Sequence, residues 1–139
     1  MNISLQSGSK FVLRFDPGEE VLKGIEDFAT SKGFGAGAFY GIGSCKETEL
    51  GYFNPNLKEY RKKPFYEDLE IISLQGNLAT LSGKTAVHAH GMFGRTDFTT
   101  IGGHVFRITT LATAEIYFES LEGALERVQN SDFNLNLLI

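Results

Sequence analysis

The chain has 139 residues, 42% hydrophobic and 22% charged, and these values are typical of one soluble globular domain rather than a disordered chain. A formal net charge of −4 excludes a global positive field that would attract nucleic-acid phosphates. A single cysteine excludes an intramolecular disulfide. There is no signal-peptide pattern, membrane-length apolar run, repeat or linker, so we expect one cytoplasmic domain over residues 1–139.

The first predicted elements are a strand and a helix. Hydrophobic residues alternate in Lys10–Phe15, which predicts a strand. Asp16 is the predicted N-cap of the helix that follows, and Gly33 is predicted to end it. We expect Arg14 and Glu19, which flank the turn between these elements, to form an ion pair. The helix carries an apolar stripe formed by Val21, Leu22, Ile25, Phe28 and Ala29.

Beyond residue 35 the sequence predicts mainly strands, with glycines permitting turns or bulges. The predicted strands cover residues 36–44, 47–53, 66–79, 87–93, 104–118 and 135–139. A short helical turn is predicted at 121–128. One helix followed by a run of strands indicates an α+β fold, in which the helix covers one face of a mostly antiparallel sheet.

One basic cluster stands out in this acidic chain. It consists of Lys58, Arg61, Lys62 and Lys63, with Tyr60 interleaved. The cluster has two interpretations, a phosphate contact for RNA or DNA and a solvated turn between strands, and we favour the turn.

All three histidines lie between positions 88 and 104. His88 and His90 are two residues apart on a predicted strand, so their side chains point to the same face. His104 starts the next predicted strand, and antiparallel pairing would bring its imidazole opposite the first two. Three imidazoles that leave one position open are the ligand pattern of a catalytic or exchangeable zinc site, although imidazole also suits nickel, copper and iron.

Several alternatives stay open at this site. An H-x-H pair by itself is also typical of solvated or hydrogen-bonded histidines, and it is the third histidine that favours a metal. Water is the simplest fourth ligand, with Asp97 and Cys45 as alternatives if folding brings them near. Glu70 and Glu115 interrupt apolar strands, so each is a weak candidate for orienting an imidazole or acting as a general base. Ordinary outward-facing residues are the preferred interpretation of both.

Most of the chain resembles the Plants and Prokaryotes Conserved (PPC) family. The matching stretches are LRFDPGEEV at 13–21, GAFYGIGSCKETELGYF at 37–53, YEDLEIISLQGNLA at 66–79, and HAHGMFG and IGGHVF around the histidines. The resemblance implies an α+β fold with a central antiparallel sheet, a homotrimer and, in prokaryotic members, a zinc-type ion (Zn²⁺). Carried over to this chain, the ligands of that ion are His88, His90 and His104.

Three functions remain open from the sequence. The preferred one is a metal-binding, self-associating module that binds a small-molecule ligand or a protein. The second is a DNA-binding regulator, as the family label suggests. Plant members owe much of their DNA binding to basic AT-hook segments outside this domain, and this sequence contains none. The third is a zinc-dependent hydrolase or lyase in which Glu70 or Glu115 moves protons, so whether the protein is an enzyme stays undecided.

Overall fold

Hydrogen bonds in the computed structural model, which describes residues 1–139, join nine strands into one sheet. The strands are β1 (Asn2–Ser7), β2 (Lys10–Phe15), β3 (Gly37–Asn54), β4 (Glu59–Phe65), β5 (Leu69–Leu81), β6 (Lys84–Gly94), β7 (Thr100–Ser120), β8 (Glu126–Asn130) and β9 (Leu135–Leu138). The helix α1 (Val21–Lys32) lies between β2 and β3. All strand pairings except β5 with β8 are antiparallel, which confirms the predicted α+β class.

Four long strands form a closed ring of hydrogen-bonded pairings, in the order β7, β3, β5, β6 and back to β7. The closure is possible because β7 changes partner along one of its edges. Residues 114–119 of β7 pair with β2, whereas residues 100–104 pair with β6. The histidine-bearing parts of β6 and β7 therefore lie side by side at the point where the ring closes.

The predicted helix stripe packs into the core. All five of its residues, Val21, Leu22, Ile25, Phe28 and Ala29, are buried. Phe28 contacts Phe11 of β2 and Phe118 of β7 edge-on, with ring centroids 5.1 and 5.6 Å apart. Burying a side chain of this size stabilises the fold by about 1.5–3 kcal/mol. The 12-residue α1 is too short and too polar to span a bilayer, and no other helix is present.

The predicted helix start is wrong. The N-cap is Glu20, whose carboxylate accepts hydrogen bonds from the backbone N–H groups of Leu22 and Lys23. Asp16 lies instead at the beginning of a turn, where its carbonyl accepts from the N–H of Glu19 at 3.1 Å. Gly18, at φ 85°, holds the turn in the left-handed region, so the helix cannot begin there. The predicted end is confirmed, since Gly33 closes the helix at φ 69°.

The predicted pairing of Arg14 with Glu19 is also wrong. Arg14 Nη2 pairs with Asp16 Oδ1 at 2.9 Å, whereas Glu19 accepts from the ammonium group of Met1. Asp16 directly follows β2 and lies two residues from Arg14, so the two side chains are on the same side of the chain and Asp16 is the nearer carboxylate.

Two further predictions from local pattern differ from the structure. The strands expected at 36–44 and 47–53 are one strand, β3, which continues through several β-bulges rather than ending at its glycines. The helical turn expected at 121–128 is a loop followed by β8. The backbone of Leu125 bonds to Gly35 and Thr80, at 3.1 and 2.8 Å, and these two partners hold the segment extended.

The solvated turn expected at the basic cluster is correct only for Lys58. That residue lies in a turn at φ 52°. Arg61, Lys62 and Lys63 belong to β4, which pairs with the second half of β3. The other strands are confirmed, with ends shifted by a few residues.

We expect Glu20→Ala to lower the free energy of unfolding by about 1–2 kcal/mol, because it removes the helix cap and also the acceptor for the N–H of Ile108 in β7. Urea unfolding followed by circular dichroism measures the loss. Asp16→Ala is the matched control, since the side chain of Asp16 makes only exposed contacts with Asn2 and Arg14. Equal losses in the two variants would show that Glu20 is not the cap.

Candidate metal centre

Strand register brings the three histidines together. His88 and His90 occupy alternate positions of β6, and His90 lies directly opposite His104 on β7. Residues directly opposite each other in an antiparallel pair project from the same face. One nitrogen from each imidazole lies within 4.8 Å of the other two. The predicted approach of His104 to the first two histidines is confirmed.

Glycines allow the backbones around the cluster to lie this close. A Cβ added to Gly102 would lie 2.8 Å from the carbonyl oxygen of Gly91 on β6, and one on Gly103 would lie 2.7 Å from that of Gly51 on β3. Both distances are shorter than a carbon atom permits, so side chains here would push β7 away from its neighbours. The Gly-Gly-His sequence is therefore explained by the close packing of β7 between two strands.

An aromatic wall lies behind His104. The rings of Tyr60 on β4 and Phe106 on β7 lie 4.8 and 4.5 Å from its imidazole, measured between centroids. Lys62 extends over Phe106, with its Nζ 3.7 Å from the ring centroid. Tyr60 was noted in the sequence only as part of the basic cluster. Its role in the site depends on β4, which local patterns did not predict.

The environment keeps two of the imidazoles neutral. Burial lowers the pKa of His104 to about 4, helped by the neighbouring imidazoles and by the positive charges of Lys62 and Arg127. Burial likewise lowers the pKa of His88, with further contributions from Arg127 and His90. Neutral imidazole is the form that ligates metals. At neutral pH these two side chains are therefore in the ligating form.

The unmet hydrogen-bonding capacity of His104 tests whether the residues fit a metal ion. Its Nδ1 is buried and has no hydrogen-bond partner. A buried polar atom without a partner is rare, and a metal is one of the partners that would satisfy it. The donor set of three imidazoles is one that zinc accepts in open sites. The residues present therefore fit a zinc-type ion.

The alternative fourth ligands lie elsewhere. Asp97 is in the turn between β6 and β7, where it accepts from the backbone and hydroxyl of Thr99 at 3.0 and 2.7 Å. Cys45 is fully buried in the core, opposite Leu69 and Thr110, and burial raises the pKa of its thiol to about 12. Histidines alone make up the cluster of ligating atoms.

The two candidate carboxylates are not brought to the histidines. Glu70 is exposed on β5 and lines a separate cavity with Arg95 and Phe98. Glu115 is exposed on β7, in the part of that strand that pairs with Arg14 of β2. Neither residue lines any of the cavities that contact a histidine of the cluster.

A cavity of about 600 Å³ opens on the exposed sheet face beside His88 and His90. Gln75 and Asn77 of β5 lie directly opposite the two histidines and line this cavity too. Farther across the face, the stacked rings of Tyr40 and Tyr117 lie 5.2 Å apart. The volume of this cavity is within the range of small-molecule sites, about 300–1,000 Å³.

A second cavity, of about 230 Å³, lies between His88 and His104 on one side and the β8–β9 hairpin on the other. The hairpin contributes Arg127, Leu135 and Leu137 to it. Arg127 was not among the predicted site residues, because no motif marks it and its segment was predicted to be helical. Only the parallel pairing of β8 with β5 places it at the site.

The chain is similar to known proteins over most of its length. The profile of the Plants and Prokaryotes Conserved (PCC) domain family matches residues 3–122. A protein of Bacteroides thetaiotaomicron, provisionally described as DNA-binding, is 30% identical with a TM-score of 0.93, over 97% of this chain and 94% of that one. The Pyrococcus horikoshii plant- and prokaryote-conserved protein is 33% identical with a TM-score of 0.89, over 100% and 97% of the two chains.

A metal-containing protein of Archaeoglobus fulgidus is similar to the same extent. It is 32% identical with a TM-score of 0.88, and the alignment covers 100% of this chain and 99% of that one. No curated protein matches the sequence.

Proposed function

The chain belongs to the Plants and Prokaryotes Conserved domain family, and from this premise we propose that it binds one divalent transition-metal ion, zinc by preference, through His88, His90 and His104. The ion's open coordination position receives a small-molecule ligand. The observation that carries the proposal is the convergence of three imidazole nitrogens within 4.8 Å on two paired strands. The similarity to the metal-containing protein of Archaeoglobus fulgidus supports it.

The chemistry of the site favours ligand binding over catalysis. A zinc ion held by neutral imidazoles keeps its full charge and polarises an oxygen ligand at the open position. A hydrolase or lyase also needs a group that moves protons within hydrogen-bond reach of the ligand. Glu70 and Glu115, the carboxylates considered for that role, line none of the cavities at the histidines. We therefore propose a binding module.

The purified protein is expected to retain about one zinc ion per chain after dialysis, measured by elemental analysis. His88→Gln, His90→Gln and His104→Gln each remove one ligand, so each should weaken zinc binding by more than about 100-fold, beyond the loss seen when an outer partner of a ligand is removed. Competition with a chromophoric chelator gives the affinities. Asp97→Asn is the control and should bind zinc as the wild type does. A wild-type protein that holds no metal after zinc is supplied contradicts the proposal.

We propose that the protein assembles as a homotrimer. Each of β1 and β9 pairs with a single strand, so each leaves an unpaired edge. Edges of this kind favour association unless something covers them. The sheet face also exposes large apolar side chains, among them Leu5, Tyr40 and Ile42. Both features support self-association, and the number of subunits is the one implied by the family resemblance.

Light scattering coupled to size exclusion is expected to give a mass about three times the 15.3 kDa of the chain, at micromolar concentration. The measurement should be repeated after metal removal to separate assembly from metal binding. A monomeric mass in both states would reject the trimer.

DNA binding is the second candidate, because the Bacteroides thetaiotaomicron protein carries that provisional description. In this chain few cationic side chains are free to contact DNA phosphates. Arg61, Lys62 and Lys63 are exposed on β4, but the ammonium groups of Lys62 and Lys63 lie over the rings of Phe106 and Phe65. The net charge of −4 opposes approach to phosphates. Trimer symmetry would triple this cluster, which is the feature that keeps the candidate open.

Titration of labelled duplex DNA at about 150 mM salt is expected to show no submicromolar binding, since exposed charges are strongly screened there. At low salt, weak retention should decrease further in the Lys62→Glu, Lys63→Glu double variant. Submicromolar affinity at physiological salt that the double variant abolishes would establish DNA as the partner.

A further inference from the structure

The cavity between the histidines and the β8–β9 hairpin carries charge of one sign. Its lining contains Arg127 and no carboxylate. The cluster itself contains no acidic ligand. Neutral imidazoles leave the two positive charges of a bound divalent ion uncompensated. The site is therefore a positive region in a chain whose net charge is −4.

Arg127 is a half-buried cation with no acidic partner. Its Nη2 donates to Asn77 Oδ1 at 2.6 Å, and its Nη1 donates to the carbonyl of Asn136 at 2.9 Å. Its Nε is buried and has no partner. No carboxylate forms an ion pair with it. A half-buried guanidinium without a counter-charge is unfavourable, and burial accordingly lowers its pKa.

The hydrogen bonds of Arg127 attach the β8–β9 hairpin to β5, but this does not explain why the side chain is charged. The two hydrogen bonds to neutral acceptors hold β8 against β5, and an uncharged side chain would suffice for that. Three of the five N–H donors of an arginine remain free once two are used, Nε among them. Asn77 lies directly opposite His88, so its bond to Arg127 fixes the guanidinium beside the ligand face of the cluster.

The cavity of about 230 Å³ joins the guanidinium to the histidines. Its walls include Tyr60, Leu81, Leu135 and Leu137, and its ionisable groups other than Tyr60 are His88, His104 and Arg127. An apolar pocket with a few convergent polar groups is typical of a small-ligand site. The volume is below that of drug-sized sites, which limits the occupant to a small molecule.

We propose that Arg127 is the anion-binding residue of the metal site, and that the site takes a small carboxylate attracted jointly by the ion and by the guanidinium. The planar fork of arginine matches the two oxygens of a carboxylate. The inference rests on the proposed metal-binding function and adds the chemical class of the ligand. Arg127 lies outside residues 3–122, which the family profile matches, so the inference concerns the C-terminal hairpin of this chain.

The test uses the full-length protein loaded with Co²⁺, whose visible spectrum reports changes in its ligands. Acetate should alter the spectrum of the wild type at lower concentration than acetamide, its neutral isostere, or inorganic phosphate. Arg127→Gln should weaken acetate binding by about tenfold or more, the effect of losing a hydrogen bond to a charged group. Binding of imidazole, a neutral ligand of the metal, should change less than about twofold because it does not need the guanidinium.

Two variants serve as controls. Arg14→Gln makes the same change of charge at an exposed arginine paired with Asp16, and should bind acetate as the wild type does. Arg127→Lys keeps the charge without the planar fork and should retain part of the acetate affinity. Urea unfolding of each variant checks that the hairpin change has not unfolded the protein. If Arg127→Gln does not fold, the comparison of Arg127→Lys with the wild type decides the question, and equal acetate affinity would overturn the role of the guanidinium.

The possible failures are distinguishable. If the wild type does not bind Co²⁺ or Zn²⁺, the proposed function fails and this inference fails with it. If the metal binds but acetate binds equally to wild type and Arg127→Gln, only the role of Arg127 is overturned. If acetate binds no better than acetamide, the assignment to a carboxylate is overturned while the metal-binding function stands. If phosphate binds more tightly than acetate, the assignment to a carboxylate is wrong.

Discussion

The close approach of β6 and β7 at the point where the ring of strands closes is the constraint on which the candidate site depends. It places His90 directly opposite His104, and the alternation of β6 adds His88 on the same face. A slip of one residue in this register would turn His104 to the other side of the sheet. Gly102 permits the approach because a Cβ there would lie 2.8 Å from the Gly91 carbonyl oxygen. The histidine side chains can therefore converge only because the two backbones pack closely.

The rest of the fold supports that approach. Strand β3 continues through its bulges, so one long strand pairs with β7 along one edge and with β5 and then β4 along the other. The helix fills the space beside β2 and β7 with its apolar stripe, and the Glu20 carboxylate joins the helix start to Ile108 of β7. Strand β7 is therefore held on both edges and at the helix, which restricts the movement of His104.

The charge at the candidate site differs from the net charge of the chain. The protein is acidic overall, yet the cavity between the histidines and the β8–β9 hairpin is lined by Arg127 and mainly apolar side chains, with no carboxylate. Such an arrangement favours neutral imidazoles, and it favours an anion rather than a cation as the small ligand. The hairpin of β8 and β9 contributes Arg127 to this environment from outside the region that the family profile matches.

Local sequence determined the elements whose signals lie within a few residues. The alternation in Lys10–Phe15, the helix stripe with its terminal Gly33, and the H-x-H pair needed no distant partner to be recognised, and the α+β class followed from them. Tertiary structure decided which residue caps the helix and that β3 is one continuous strand. It also decided that β4 and β8 are strands, and where Tyr60 and Arg127 lie. Each of these depends on hydrogen bonds or contacts between segments far apart in the chain, such as the pairing of β8 with β5, and no local pattern records such a partner.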